Sequence, residues 1–302
     1  MALKPLKILT IGGSGFVSGT LVRTALEHGH QVWAVTRGQR PVPDGAIPLQ
    51  ADRKDPQAFA RAIGDARCEW DLVVDCIGYE PEDARQDVEV LRDLASQLVF
   101  ISTDFVFEPA KRVFPQPFGN PHCIPGDYGG KKRQCELELS GADTGDMQVT
   151  IFRPCHIYGP GSELGCLPMH GRDPQLISKI RASEALQLVG GGYFLQQPIF
   201  ARDLAELILS ACGNELAYGK TYCSVGPDII ESKRYYEIIA DLLGVQAIIE
   251  EVPVGQALAD KPELAPFLCH RIYDLTPLRL DGLRVPNTPI ADGLARHVKS
   301  ML

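Results

Sequence analysis

Short runs of β-branched and aliphatic residues alternate with amphipathic stretches over the first half of the chain. The runs are KILTI (7–11), QVWAVT (31–36), IPLQA (47–51), DLVVDCI (71–77), LVFIS (98–102) and QVTIFR (148–153). Between them, segments 15–28, 55–63, 82–94 and 128–139 carry apolar side chains three and four apart, as with Phe16, Leu21, Val22 and Leu26. Nearly continuous apolar strands separated by helices require a parallel sheet covered on both faces. The pattern predicts an α/β fold: a Rossmann-type, doubly wound parallel sheet of six strands.

After Pro154 the texture changes, with glycine and proline thickening through YGPGSELGCLPMHGRDP before a helical stretch and a glycine turn at 190–192. This predicts a dinucleotide-binding domain from residues 1–160 plus about 198–221, and a smaller, discontinuous C-terminal substrate-binding region from about 161–197 and 222–302. Segment 198–212 (PIFARDLAELILSAC) is expected to return to the first domain, with Asp203 as the N-cap of its helix.

Composition narrows the class. The 302 residues suffice for a large core, and 45% hydrophobic with 23% charged residues exclude a disordered chain. With Lys+Arg 30 against Asp+Glu 38, the net charge of −8 offers no broad basic surface, so no nucleic-acid partner is expected. Nine cysteines, an odd number with no C-x-x-C pair, read as reduced thiols, which predicts a cytoplasmic location and no metal site. The opening MALKPLKILTIGG has too short an apolar run for a signal peptide, and no segment approaches a membrane span.

Strand KILTI leads directly into Gly12-Gly13-Ser14-Gly15-Phe16-Val17-Ser18-Gly19 and then an amphipathic helix, the context in which such glycines mark a dinucleotide site. Gly12 permits the tight turn, Gly15 lets backbone approach a pyrophosphate, and the helix start at Phe16 and Val17 faces the anion. Ser18 stands where a third glycine is usual, which predicts slightly wider helix-to-strand packing. Arg37, closing the second strand in VTRGQR with Arg40 nearby, favours NADP(H), with NAD(H) as the alternative. Asp52 in LQADR is placed to meet the adenine amino group or to form an Asx turn, and Cys76 ends the fourth strand at the same edge.

The fifth strand ends in FISTDFVF, placing Thr103 at the carboxyl edge, where ligands bind in open α/β sheets. Tyr128 and Lys132 follow in DYGGKKRQCE, four apart and therefore on one helix face. With the glycine turn, these residues resemble the extended short-chain dehydrogenase/reductases, the NAD(P)-dependent epimerase/dehydratase family. STDFVF is similar to the STDYVF of sugar-nucleotide ketoreductases, DYGGKKRQCE to the family's Y-G-x-x-K-x-x-x-E, and IFRPCHIYGPGS to its L-R-P-x-x-[VI]-Y-G-P-G. PIFARDLAELIL and the tail HRIYDLTPLRLDGL extend the resemblance over nearly the whole chain.

The resemblance implies an NAD(P)-dependent oxidoreductase or epimerase acting on a sugar nucleotide or related hydroxy/keto sugar. Tyr128 would trade a proton with an alcohol or ketone as hydride moves to or from nicotinamide, Lys132 would hold the nicotinamide ribose, and Thr103 would bond the reacting oxygen. A phenol with a reference pKa of about 10 needs a nearby cation to act as a base at neutral pH, and Lys132 or an oxidised nicotinamide supplies one. Pro154 would line the nicotinamide pocket, and a homodimer through helices 82–94 and 128–139 is implied.

Asp104 follows Thr103 where the family's dehydratases carry an acid, but T-D-F replaces their usual T-D-E, favouring reduction or epimerisation. Family members acting on sugar nucleotides usually clamp the diphosphate with an arginine in G-x-G-x-x-x-R. Here GGGYFLQ puts Gln196 at that place, and glutamine makes no bidentate ion pair with phosphate. Either Arg271, Arg172 or Arg181 takes over, or the substrate is a non-nucleotide natural-product carbonyl compound. His170 in LPMHGRDP is a further substrate candidate. The alternative from a different class is a non-catalytic relative that binds cofactor or RNA. Retention of Thr103, Tyr128 and Lys132, with the acidic charge, argues against it.

Overall fold

Seven parallel strands form the central sheet of the computed structural model, which describes residues 4–119, 122–166 and 172–302. The six expected strands are β1 (Lys7–Ile11), β2 (Gln31–Thr36), β3 (Ile47–Gln50), β4 (Leu72–Asp75), β5 (Gln97–Ile101) and β6 (Gln148–Pro154). A seventh, Thr221–Ser224, pairs with β6 from Thr221↔Ile151 to Ser224↔Pro154, so the sheet continues beyond residue 221. From that edge the order runs β6, β5, β4, β1, β2, β3. The chain therefore reverses direction across the sheet between β1 and β4, and the crevice at their carboxyl ends is where this fold binds ligands.

Successive strand residues serve opposite faces, which is why the strands are apolar without a break. Ile8, Val74, Val99 and Phe152 join one core with Leu21, Val22, Leu204 and Ile208, from α1 (Phe16–Glu27) and a helix at Ala201–Ser210. Leu9, Val73, Leu98 and Phe100 join the other with Phe59, Leu91, Cys135 and Leu139, from α2 (Pro56–Asp65), α3 (Pro81–Leu91) and α4 (Tyr128–Gly141). A third cluster, including Tyr158, Leu176, Leu188, Tyr235, Tyr236 and Leu294, forms the smaller C-terminal layer.

The Ala201–Ser210 helix begins before the expected cap. Phe200 takes the N-cap position, and the Asp203 carboxylate instead accepts from the Asn287 amide (2.9 Å), the Thr288 amide (2.7 Å) and the Thr288 hydroxyl (2.7 Å). Asp203 thus ties the C-terminal segment to this helix, because three fixed donors reach it from across the fold.

Helix α4 opens with two glycines, each costing about 1 kcal/mol relative to alanine in a helix interior. Close approach requires them. A Cβ on Gly129 would overlap the carbonyl of Phe105, and one on Gly130 the carbonyl of Ile124. The turn is capped by Asp127, which accepts from the Gly130 amide at 2.6 Å.

Farther along α4, the buried Glu136 carboxylate accepts from Ser102 Oγ (2.6 Å), Arg153 Nε and Nη2 (2.8 and 2.7 Å) and Arg133 Nη1 (2.9 Å). Burial alone would raise the pKa of this acid, but the arginines and Ser102 outweigh it and hold the carboxyl below its ordinary value. Removing one partner of a buried pair costs about 3–5 kcal/mol. Glu136→Gln should therefore lower unfolding stability in urea by about that amount at pH 7. The native contribution is fully present above the unfolded carboxyl pKa of about 4.3 and fades as pH falls through the lower folded value, so the two proteins should converge in acid. Equal stability at pH 7 would contradict the assignment.

Candidate active site

The glycine turn after β1 opens a cleft of about 390 Å³ whose lining includes Gly12, Gly13, Gly15, Arg37, Asp52 and Tyr79. Gly12 and Gly13 take φ of 101° and 140°, and a Cβ on Gly13 would stand 2.7 Å from that of Ala34. Gly13 is thus where the turn packs most closely against β2. Ser18 has a bonding role that its small size alone did not suggest: its Oγ accepts from the amides of Gly13 (2.9 Å) and Gly15 (3.2 Å), fixing the loop. The first amides of α1 have no intrahelical partners and carry the helix's positive end, so this glycine-lined cradle fits a dinucleotide pyrophosphate.

Arg37 and Arg40 are exposed at this cleft. Asp52 lines it too while accepting from the Lys54 amide at 2.9 Å, so its carboxylate forms the Asx turn. The sequence reading missed Arg53. Its buried guanidinium donates to Asp75 (3.0 Å), Asp87 (2.9 Å) and the Asp83 carbonyl (2.8 Å), joining the ends of β3 and β4 to α3. Burial, then the neighbouring Asp75 charge, pushes the Asp87 carboxyl well above its ordinary pKa. The i, i+4 spacing of Asp83 and Asp87 was visible in the sequence, but their partner across the fold was not.

Tyr79 borders both this cleft and a second, of about 410 Å³, whose lining includes Thr103, Tyr128, Lys132, Pro154, Val17 and Cys76. Phe16 lies beside it, under the Arg172 guanidinium at 5.5 Å. Thr103 is nearly buried and caps a short 3-10 turn, accepting from the Phe105 amide at 3.3 Å. Tyr128 stands at the mouth, 49% exposed, with its ring against Phe105 (6.1 Å) and Tyr79 (6.5 Å). Burial raises the phenol to about 12 and Tyr79 adds to this, while the Thr103 hydroxyl acts in the opposite direction.

Lys132 is buried, its ammonium donating to the carbonyls of Gly78 (2.6 Å) and Ile101 and lying 4.1 Å from the Phe100 ring centre. Burial lowers its pKa against the pull of Asp75. Tyr128 and Lys132 do share a cleft, but the lysine charge is directed at backbone oxygens and the phenol keeps a raised pKa.

The substrate candidates divide. Asp104 is buried and accepts from Tyr273 Oη at 2.7 Å and from Arg271 Nη1, with Arg112 at 3.6 Å. Against the cost of burial, Arg271 and Arg112 hold its carboxyl below the ordinary range. Arg271 is fully buried in that pair, with its guanidinium 4.4 Å from the Phe105 ring centre. Gln196 is also buried, donating to the Cys269 carbonyl at 3.4 Å. Arg181, exposed at the end of helix Leu176–Arg181, does not line the cleft, whereas Arg172 does. His170 lies outside the described residues. His156 in the cleft wall is held neutral, its pKa lowered to about 3 by burial and then by Arg172.

A family model described as the NAD dependent epimerase/dehydratase family matches residues 8–222. Among curated relatives, the chloroplast stem-loop binding protein of 41 kDa b from Arabidopsis thaliana is 27% identical over 70% of this chain and 56% of its own length. This chain therefore spans little more than half of that relative. The 2-alkyl-3-oxoalkanoate reductase of Stenotrophomonas maltophilia is 25% identical over 96% of this chain and 98% of its own. Among solved structures, the epimerase Mth375 of Methanothermobacter thermautotrophicus has a TM-score of 0.79 at 16% identity, covering 99% of this chain and 93% of that one.

The raised pKa of Tyr128 leads to a spectroscopic prediction. In the 295 nm absorbance difference between the unliganded protein and Tyr128→Phe, tyrosinate should be absent from pH 7 to 10 and emerge only towards the pKa of about 12. Ionisation of this residue near pH 8 would overturn the electrostatic description.

Proposed function

Because the chain belongs to the NAD dependent epimerase/dehydratase family, we propose that it catalyses hydride transfer between a nicotinamide dinucleotide, preferentially NADP(H), and a secondary alcohol or its ketone. The observation that carries this reading is a single cleft holding Thr103, Tyr128 and Lys132 and meeting the glycine cradle at Tyr79. Bound there, the nicotinamide would supply or accept the hydride.

The protein's part is proton placement. With its raised pKa, Tyr128 keeps its proton at neutral pH and is suited to donate it from Oη to a carbonyl oxygen undergoing reduction. Thr103 Oγ1, at the strand end, would orient that oxygen. Lys132 has three N–H donors, and two already meet Gly78 and Ile101, leaving one for a ribose hydroxyl. In the oxidative direction Tyr128 must lose its proton, and the positive charge of the oxidised ring would lower the cost.

Two features narrow the chemistry. Asp104 is ionised between buried arginines, so it is no proton donor for an eliminated hydroxyl, which supports reduction or epimerisation over dehydration. Gln196 and Arg271 are both committed inside the fold, which speaks against a nucleoside diphosphate sugar. A non-nucleotide carbonyl or hydroxyl compound is favoured, in keeping with the full-length similarity to an oxoalkanoate reductase. Arg37 and Arg40 at the cradle favour the 2′-phosphate of NADP.

Fluorescence titration should give tighter binding of NADPH than of NADH, and Arg37→Ala should weaken NADPH about tenfold or more while leaving NADH unchanged. In a screen of carbonyl compounds, Tyr128→Phe should lower turnover by about 10² to 10⁴ with cofactor affinity intact. Unchanged turnover would exclude the mechanism. Salt-dependent binding of stem-loop RNA without any nicotinamide binding would replace it with the non-catalytic reading.

A further inference from the structure

We propose that Arg172 docks a carboxylate of the substrate, and that the substrate is accordingly an oxo or hydroxy acid with an apolar body. The inference rests on the reading of the Tyr128 cleft as the catalytic one.

The walls of that cleft are largely apolar: Val17, Phe105, Pro154, Cys155, Ile157 and Phe267 all contribute. Phe105 and Phe267 meet edge to face at 5.3 Å, and the buried Arg271 guanidinium packs on the Phe105 ring at 4.4 Å. The aromatic wall is therefore rigid, anchored by an ion pair that solvent does not reach. Such a surface gains by covering hydrocarbon and offers a polyhydroxylated sugar few partners.

Charge in the cleft is sparse and mostly committed. Asp104 is neutralised by Arg271, Lys132 is bound to two carbonyls, and His156 is held uncharged. Arg172 differs. It is exposed, and among the described residues its one hydrogen bond, from Nη2 to the Ile157 carbonyl, is long at 3.3 Å. No carboxylate pairs with it among the described residues. The guanidinium rests over Phe16 at 5.5 Å, and most of its five donors have no partner among the described residues, so it can meet a planar anion by two parallel bonds. One available cation matches one carboxylate better than a diphosphate. With the anion held at Arg172 and the reacting oxygen at Thr103 and Tyr128, the hydrocarbon would lie along Phe105 and Phe267.

The test compares medium-chain 2-, 3- and 4-oxo acids with their methyl esters, using NADPH oxidation by the wild type, Arg172→Gln and Arg172→Lys. The wild type should turn over at least one acid with a KM about tenfold or more below that of its ester, since an ester offers no charge to a charge-assisted bond. Arg172→Gln should erase that preference while leaving the ester KM and NADPH affinity unchanged, and Arg172→Lys should restore part of it. The proposal is overturned if acid and ester are treated alike by the wild type, if no acid is turned over, or if Arg172→Gln weakens NADPH binding as much as acid binding. Absence of nicotinamide binding, or full activity in Tyr128→Phe, would instead defeat the catalytic reading on which it stands.

Discussion

The buried carboxylate of Glu136 is the constraint on which the site depends. It lies on α4, the helix that carries Tyr128 and Lys132, and it meets Ser102, one residue before Thr103, and Arg153, one residue before Pro154. Three elements that must present groups to one cleft are thus bound to a single charged centre. Arg153 also reaches the Phe118 carbonyl at 2.9 Å, drawing in the connector between β5 and α4. A buried ion pair of this kind is not necessarily stabilising relative to a hydrophobic substitute. Here its consequence is registry: with glycines in its first turn, α4 has little intrinsic stiffness where Tyr128 sits, and Glu136 fixes the helix from below.

A second charged centre works in the same way on the other side of Thr103. Asp104 gathers Arg112 from the connector and Arg271 and Tyr273 from the tail, closing a wall of Phe105 and Phe267 over the strand end. The same contacts commit Asp104 and Arg271, an acid and an arginine that looked available from the sequence, to each other. Positioning and specificity therefore have one physical origin, a carboxylate that stays ionised because it is surrounded. At the cofactor end Arg53 plays the corresponding part among Asp75, Asp83 and Asp87.

What could be read from the sequence was local. The glycine turn, the Tyr128–Lys132 spacing and the strand alternation each lie within a few residues of one another, and the six strands appear within a residue or two of their expected limits, with β4 shorter. The seventh strand is short and was hidden behind a change in texture. Asp203 looked like a cap because its true partners, Asn287 and Thr288, are more than eighty residues away. Arg271 looked like a free cation for the same reason, since Asp104 is 167 residues from it in sequence. Charge type is legible in one dimension, whereas charge partnership is a property of the fold.

The central claim is that Tyr128 delivers the proton that accompanies hydride transfer in this cleft. NADPH carrying deuterium at both C4 positions, incubated with the protein and a pool of carbonyl compounds, tests it by mass spectrometry. The account predicts an alcohol heavier by a single deuterium with the wild type and almost none with Tyr128→Phe at equal cofactor occupancy. Equal deuterium incorporation by both proteins, or none by the wild type with NADPH bound, would contradict it.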